Sequence, residues 1–259
     1  MGWRPAAGLW GLQRATMRAV VLTREYVDVP VGERAMRTFV AAPAAPGAYP
    51  GIVFYTDIFQ LTEPSLRWAV RLAGYGFVVA VPEIYHRIEP AGTVLGFDDA
   101  GKVRGQADAD ATPVPDFDAD VEAALTWLGE RCPSVGAAGH CTGGHIAFRA
   151  AFSDAVRATV CWYPTGLHNG KLGKEPTDSL ARAGEIGGEI LLIFGTLDPH
   201  TPAEGREVVR AGMEASGARF TWSEYEAEHA FGRDIGPRFD PEVTDQAFAE
   251  TVAFFRSGL

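Results

Sequence analysis

Five short, uninterrupted apolar runs constrain this chain more than any other feature: GIVFY (51–55), FVVAV (77–81), VGAAG (135–139), ATVCW (158–162) and ILLIFG (190–195). A strand with one wet face alternates polar and apolar residues. A strand that is apolar throughout is buried on both faces, as in a parallel sheet covered by helices. The intervening segments carry helical spacing. Leu66–Ala73 lies between the first two runs. Asp118–Arg131 sets Val121, Ala124, Leu125 and Leu128 on one face, with Asp116 the expected N-cap. Gly144–Phe152 and Pro202–Ser216 follow the third and fifth runs. Asp240-Pro241 opens a last helix, with Phe248, Val252 and Phe255 on one side. Strands alternating with helices imply right-handed βαβ crossovers and one doubly wound, mostly parallel α/β sheet. Ahead of it, Tyr26–Val31 and Met36–Ala41 alternate loosely. They read as an antiparallel hairpin at the sheet edge, joined by Gly32-Glu33-Arg34-Ala35.

The chain has 259 residues, a length that one α/β domain can fill. We expect that domain over 17–259. The first 16 residues, MGWRPAAGLWGLQRAT, lack the apolar core of a signal peptide and read as a loose leader or an upstream start. Residues 88–115 break the rhythm. They are rich in Gly, Asp, Ala and Pro and read as a long loop after the FVVAV strand. It lies at the carboxyl edge where open sheets bind ligands, and so forms part of a site wall. Its aspartates at 98, 99, 108 and 110 lack the spacing of a calcium loop.

Net charge is −10. That excludes the basic footprint of a non-specific nucleic-acid binder. An anion site would have to be built locally, from a few arginines. No apolar run approaches the roughly 18 residues of a membrane span. Three cysteines without C-x-x-C spacing argue against a disulfide framework and against zinc, and point to a reducing, cytoplasmic setting. No cofactor or metal is expected.

The stretch VGAAGHCTGGH (135–145) is strand, tight turn and helix, the setting of a nucleophile elbow. Cys141 would stand at the helix N-terminus, where the dipole and free N–H groups favour thiolate. The Thr142 N–H would point towards a developing oxyanion. Cys132 and Cys161, one ending a helix and one inside an apolar strand, read as structural. In this architecture the acid and then the histidine follow the nucleophile in the chain. Asp198 lies just past ILLIFG. His229 follows the β-like run Arg219–Tyr225. His140 and His145 flank the elbow and are expected to pack or cap. His86 lies in a polar turn, His168 precedes the acid, and His200 is too near Asp198 to come from a separate loop. Glu189 starts its strand and so lies at the wrong end.

With G-x-C-x-G-G at 139–144, G-x-x-D at 195–198, H-x-F-x-R at 229–233 and P-E-I-Y-x-R at 82–87, the chain resembles the dienelactone hydrolase family of α/β-hydrolases. The resemblance implies an α/β-hydrolase fold and cofactor-free opening of an enol lactone that bears a carboxylate. It implies a Cys141–Asp198–His229 triad and an acyl-enzyme thioester. Thr142 and Ile58 match the oxyanion donors; Arg87, Arg233 and Tyr85 match substrate-binding positions. Asp57 stands where the family carries a thiol-modulating glutamate. Being one methylene shorter, it puts direct contact with the sulfur in question. The expected partner is a small, anionic ester or lactone, with neither nucleic acid nor membrane. Each arginine alone would read as a surface ion pair, with Glu83 or Asp234 nearby. The alternatives are a broader carboxylesterase or thioesterase and, from another class, a non-catalytic binding protein on the same scaffold.

Overall fold

Along β3 (Gly51–Tyr55) successive side chains point to opposite faces, yet every one is buried. Val53 and Tyr55 enter one core layer, Ile52 and Phe54 the other. β7 (Glu189–Gly195) repeats the pattern, with Ile190, Leu192 and Phe194 opposite Leu191 and Ile193. Two apolar faces demand two covering layers. One is built by α1 (Glu63–Ala73) and α6 (Pro241–Gly258). The other is built by α3 (Val114–Gly129), α4 (Thr142–Ala150) and α5 (Ala203–Ser216).

The computed structural model describes residues 20–259; the leader expected over residues 1–16, and the domain start at Met17, lie outside the described residues. The remaining strands are β1 (Leu22–Val31), β2 (Arg34–Pro43), β4 (Val78–Pro82), β5 (Val135–His140), β6 (Val156–Trp162) and β8 (Arg219–Tyr225). They form an 8-stranded sheet in the order β1-β2-β4-β3-β5-β6-β7-β8. β1 and β2 pair antiparallel at the edge and β2 runs antiparallel to β4; every other pairing is parallel. Among the described residues no helix is long and apolar enough to cross a membrane.

Three local expectations are corrected. The hairpin turn is only Gly32-Glu33, because both strands run further than the alternation suggested and Val31 pairs with Arg34. Gly32, at φ 58°, makes that tight reversal without a Cβ penalty. α3 starts at Val114, with Pro113 rather than Asp116 as N-cap. Pro113 and Pro115 fit a first turn, where a missing N–H costs nothing. Residues 88–115 are not a structureless loop: they contain α2 (Asp99–Ala111). Asp98 caps it, its carboxylate accepting the Gly101 N–H at 2.7 Å. Arg104 forks onto the buried Glu89 through two nitrogens.

Candidate active site

The turn between β5 and α4 is built by exclusion. A Cβ at Gly143 would sit 2.2 Å from the Tyr55 carbonyl oxygen and 2.3 Å from that of Thr56. One at Gly139 would sit 2.0 Å from the Gly143 carbonyl oxygen. Bare backbone at both positions lets α4 close onto the end of β3. Cys141, between them, takes φ 58° and ψ −122°. For a residue with a side chain that costs on the order of 1–3 kcal/mol. Its N–H donates to the Trp162 carbonyl at 3.0 Å, which fixes the strained residue to the neighbouring strand. The side chain is therefore held at the carboxyl edge of the sheet, at the N-terminus of α4. All three cysteines are free, and Cys141 alone of them is not buried.

Asp198 and His229 arrive at the same edge from the ends of β7 and β8. His229 Nδ1 lies 2.7 Å from Asp198 Oδ2, and the other carboxylate oxygen accepts the His200 N–H at 2.7 Å. Burial would raise the Asp198 pKa, but these donors hold it below the ordinary carboxylate value. Burial would likewise lower the His229 pKa. The facing Cys141 and the Asp198 hydrogen bond more than reverse this and raise it to about 10. The sulfur makes a long side-chain contact, 4.0 Å to Thr142 Oγ1. Among the described residues no hydrogen bond of ordinary geometry joins it to the imidazole, although it lies near enough to act on the His229 charge. The loop bearing His229 is anchored twice: Trp68 Nε1 donates to the Gly232 carbonyl at 2.9 Å, and Thr244 Oγ1 to that of Phe231 at 2.8 Å.

Cys141, Thr142, Ile58, Asp57, His229 and Arg233 line one cavity of about 550 Å³, walled by Phe59, Phe97 and Leu172. The Asp57 carboxylate does not bond the sulfur. One oxygen accepts the Phe59 N–H at 3.1 Å and the other faces Arg233 Nη1 at 3.4 Å. Burial raises its pKa, and Arg233 only partly offsets this. Arg233 also lies over the Phe97 ring, 4.4 Å from its centroid. Its expected neighbour Asp234 is instead taken by Arg67, at 2.6 Å.

Two expected substrate-binding residues are not among the side chains that line this cavity. Arg87 is clamped onto Asp120 of α3, with Asp116 3.6 Å away, and does not line the pocket. Its expected ion-pair partner Glu83 holds Arg37 at 2.7 Å. Tyr85 is buried and its hydroxyl has no partner among the described residues. It too is absent from the lining.

The other histidines divide. His140 packs in an aromatic cage, 4.5 Å from Trp68 and 4.9 Å from Phe54, and burial lowers its pKa to about 3. His145 bridges the Thr165 carbonyl and Ser179 Oγ, each at 2.8 Å, and burial keeps it neutral. His200, although close to Asp198 in the chain, also reaches the site: its ring meets that of His229 at 4.5 Å and it lines the cavity. Only through-space packing reveals that. The same holds for Lys102, Lys171 and Arg238, which line the cavity from segments with no motif.

A sheet of this topology, turning from its central β5 into a helix through a strained residue at the carboxyl edge, is the α/β-hydrolase fold. Over residues 36–259 the chain matches the dienelactone hydrolase family. A provisionally named carboxymethylenebutenolidase of Saccharomyces cerevisiae is 34% identical over 244 residues, 87% of this chain and 88% of its own. A carboxymethylenebutenolidase of Pseudomonas sp. strain P51 is 26% identical over 216 residues, 82% of this chain and 86% of its own. The crystal structure of a provisionally named dienelactone hydrolase from Klebsiella pneumoniae aligns with a TM-score of 0.77 at 21% identity, covering 91% of this chain and 99% of that one. The chain belongs to the dienelactone hydrolase family, whose members are hydrolases of ester and lactone bonds.

Proposed function

We propose that the protein opens carboxylate-bearing enol lactones through a Cys141–His229–Asp198 triad and a thioester intermediate. The observation that carries this reading is the 2.7 Å His229–Asp198 contact, with His229 lining the same cavity as the strained Cys141. An imidazole held charged by sulfur and carboxylate is the partner of a thiolate. The thiolate attacks the lactone carbonyl, and the electron pair of the C=O bond moves to oxygen. The N–H groups of Thr142 and Ile58 receive that oxyanion; one such donor is worth about 3–4 kcal/mol. The ring C–O bond then breaks, and the enolate leaves with a proton from His229. Water, deprotonated by the now neutral His229, attacks the thioester and releases thiolate and acid. Asp198 keeps the ring oriented throughout. A stabilised enolate leaves easily, so a strong general acid is less necessary than for an alkyl ester.

The substrate's carboxylate meets Arg233, whose planar fork suits it. Asp57, held by Arg233 and the Phe59 N–H, adjusts the thiol through charge and not through contact. No metal or cofactor takes part in this scheme, and the setting is cytoplasmic. A second reading, a broader carboxylesterase or thioesterase, is favoured by one observation: Arg87 is spent on Asp120. The test is a hydrolysis panel of an activated enol lactone, an aryl ester and an ethyl ester, run beside Cys141→Ala. The first reading predicts strong preference for the activated lactone and loss of turnover in the variant. Equal kcat/KM for lactone and ethyl ester would favour the second. Full activity in Cys141→Ala would remove both.

A further inference from the structure

The charges lining the cavity are not all paired. Four cations line it, Lys102, Lys171, Arg233 and Arg238, beside four carboxylates, Asp57, Asp98, Asp99 and Asp110. Lys171 lies 3.6 Å from Asp110, Arg238 3.1 Å from Glu228, and Arg233 3.4 Å from Asp57. Lys102, on α2, has no carboxylate partner among the described residues. The acids nearest it in sequence are otherwise arranged. Asp98 accepts the Gly101 N–H through one oxygen as the α2 cap, and Asp99 lies in the first turn, where the helix dipole favours its charge; both line the cavity without an ion-pair contact to Lys102. Arg233 keeps Nη2 uncommitted among the described residues: Nη1 makes one long contact with Asp57 and Nε donates to the Ile235 carbonyl at 3.3 Å. Arg87 is immobilised outside the lining by Asp120.

We propose that Lys102, acting with Arg233, binds a carboxylate of the substrate and sets the preference for anionic esters, in the position that Arg87 does not fill. The inference rests on the ester-hydrolase reading above and names its specificity determinant. Lys102 lines the same cavity as Cys141, His200 and His229. Burial and the neighbouring His229 lower the pKa of His200 against the pull of Asp198, with Arg238 and then Lys102 adding smaller contributions; the His200 ring is 4.5 Å from that of His229. An exposed lysine on a flexible stem in the pocket wall follows a carboxylate as a point charge, while Arg233 fixes orientation through its fork. α2 itself is held in place by the Arg104–Glu89 fork, so the lysine is presented from an anchored element.

The test uses two aryl esters of equal chain length, an aryl succinate monoester with a free carboxylate and a neutral aryl butyrate. The ratio of their kcat/KM values is measured for wild type, Lys102→Met, Lys102→Arg and Arg87→Met. We expect Lys102→Met to lower the anionic-to-neutral ratio about tenfold, the low end for a charge-assisted hydrogen bond at an exposed site. The loss should fall in KM, with the neutral ester unaffected. Lys102→Arg should restore most of the ratio, and Arg87→Met should leave it unchanged. Added salt should erode the wild-type ratio and spare that of Lys102→Met. An unchanged ratio in Lys102→Met, or its collapse in Arg87→Met, overturns the inference while turnover of both esters leaves the hydrolase reading standing. Failure of the wild type to hydrolyse either ester, or undiminished turnover by Cys141→Ala, sinks the hydrolase reading and this inference with it.

Discussion

Replacing Gly105 by alanine places a methyl group 2.4 Å from the Ile58 carbonyl oxygen and 3.1 Å from its carbonyl carbon. Ordinary contact begins near 3.4 Å, so α2 and the Ile58 peptide must separate by about 1 Å. Two effects on stability oppose each other. Overpacking costs about 1–3 kcal/mol, and alanine in a helix interior regains about 0.5–1 kcal/mol relative to glycine. The net destabilisation is about 0–2.5 kcal/mol, which for a domain of this size lowers Tm by up to roughly 10 °C. Activity should suffer more. Ile58 supplies one proposed oxyanion N–H, and a misplacement of about 1 Å at such a site costs on the order of 100-fold in rate. The assay is kcat on an aryl ester at saturation, beside a melting curve and the rate of iodoacetamide labelling of Cys141. We expect kcat to fall about 100-fold, Tm to move by a few degrees and labelling to persist, since the thiolate does not depend on Ile58. Wild-type kcat in a folded Gly105→Ala protein would refute the reasoning: either the Ile58 peptide does not serve the oxyanion or α2 does not position it.

Other predictions follow from the same geometry. Asp198→Asn should leave the fold intact and lower kcat by roughly 10³–10⁴-fold, because it removes the acceptor that orients His229; steady-state kinetics with a circular-dichroism control decide it. Gly143→Ala should give little soluble protein, since the atoms its Cβ would meet within 2.4 Å are all backbone, of Tyr55 at the end of β3 and of Thr56 after it; soluble yield and melting temperature test this. The folded-state pKa of His229, about 10, lies above the unfolded value near 6.5. Its stabilising contribution is therefore complete below about pH 6.5 and is lost as pH rises towards 10. Relative to His229→Gln, the wild-type Tm should decline across that window; a parallel course for the two proteins would contradict it.

How much of this was legible in the sequence differs from residue to residue. Each of the inner strands announced itself as an apolar run because both of its faces are covered. Cys141 and Asp198 were locatable because each closely follows such a run, and His229 because it follows the more polar edge run Arg219–Tyr225 and stands third in the nucleophile, acid, histidine order. α2 was illegible for a physical reason: DAGKVRGQADADA carries no apolar stripe, and glycines at 101 and 105 weaken its helix propensity. It is held instead by tertiary contacts, Gly105 against Ile58 and Arg104 against Glu89, which no periodicity encodes. The pairing of Arg87 with Asp120 joins a loop after β4 to the middle of α3, so a motif that named the arginine could not say which carboxylate would claim it. The same limit hid Lys102 and the His200–His229 packing.

The central claim is that the Cys141 sulfur carries the acyl group. Turnover of an activated aryl ester, quenched in acid within the first catalytic cycles, should yield intact protein heavier by one acyl unit. Peptide mapping should place that mass on the segment containing Cys141, and hydroxylamine should remove it. An adduct on another residue, or multiple turnovers by Cys141→Ala with no adduct anywhere, would contradict the account.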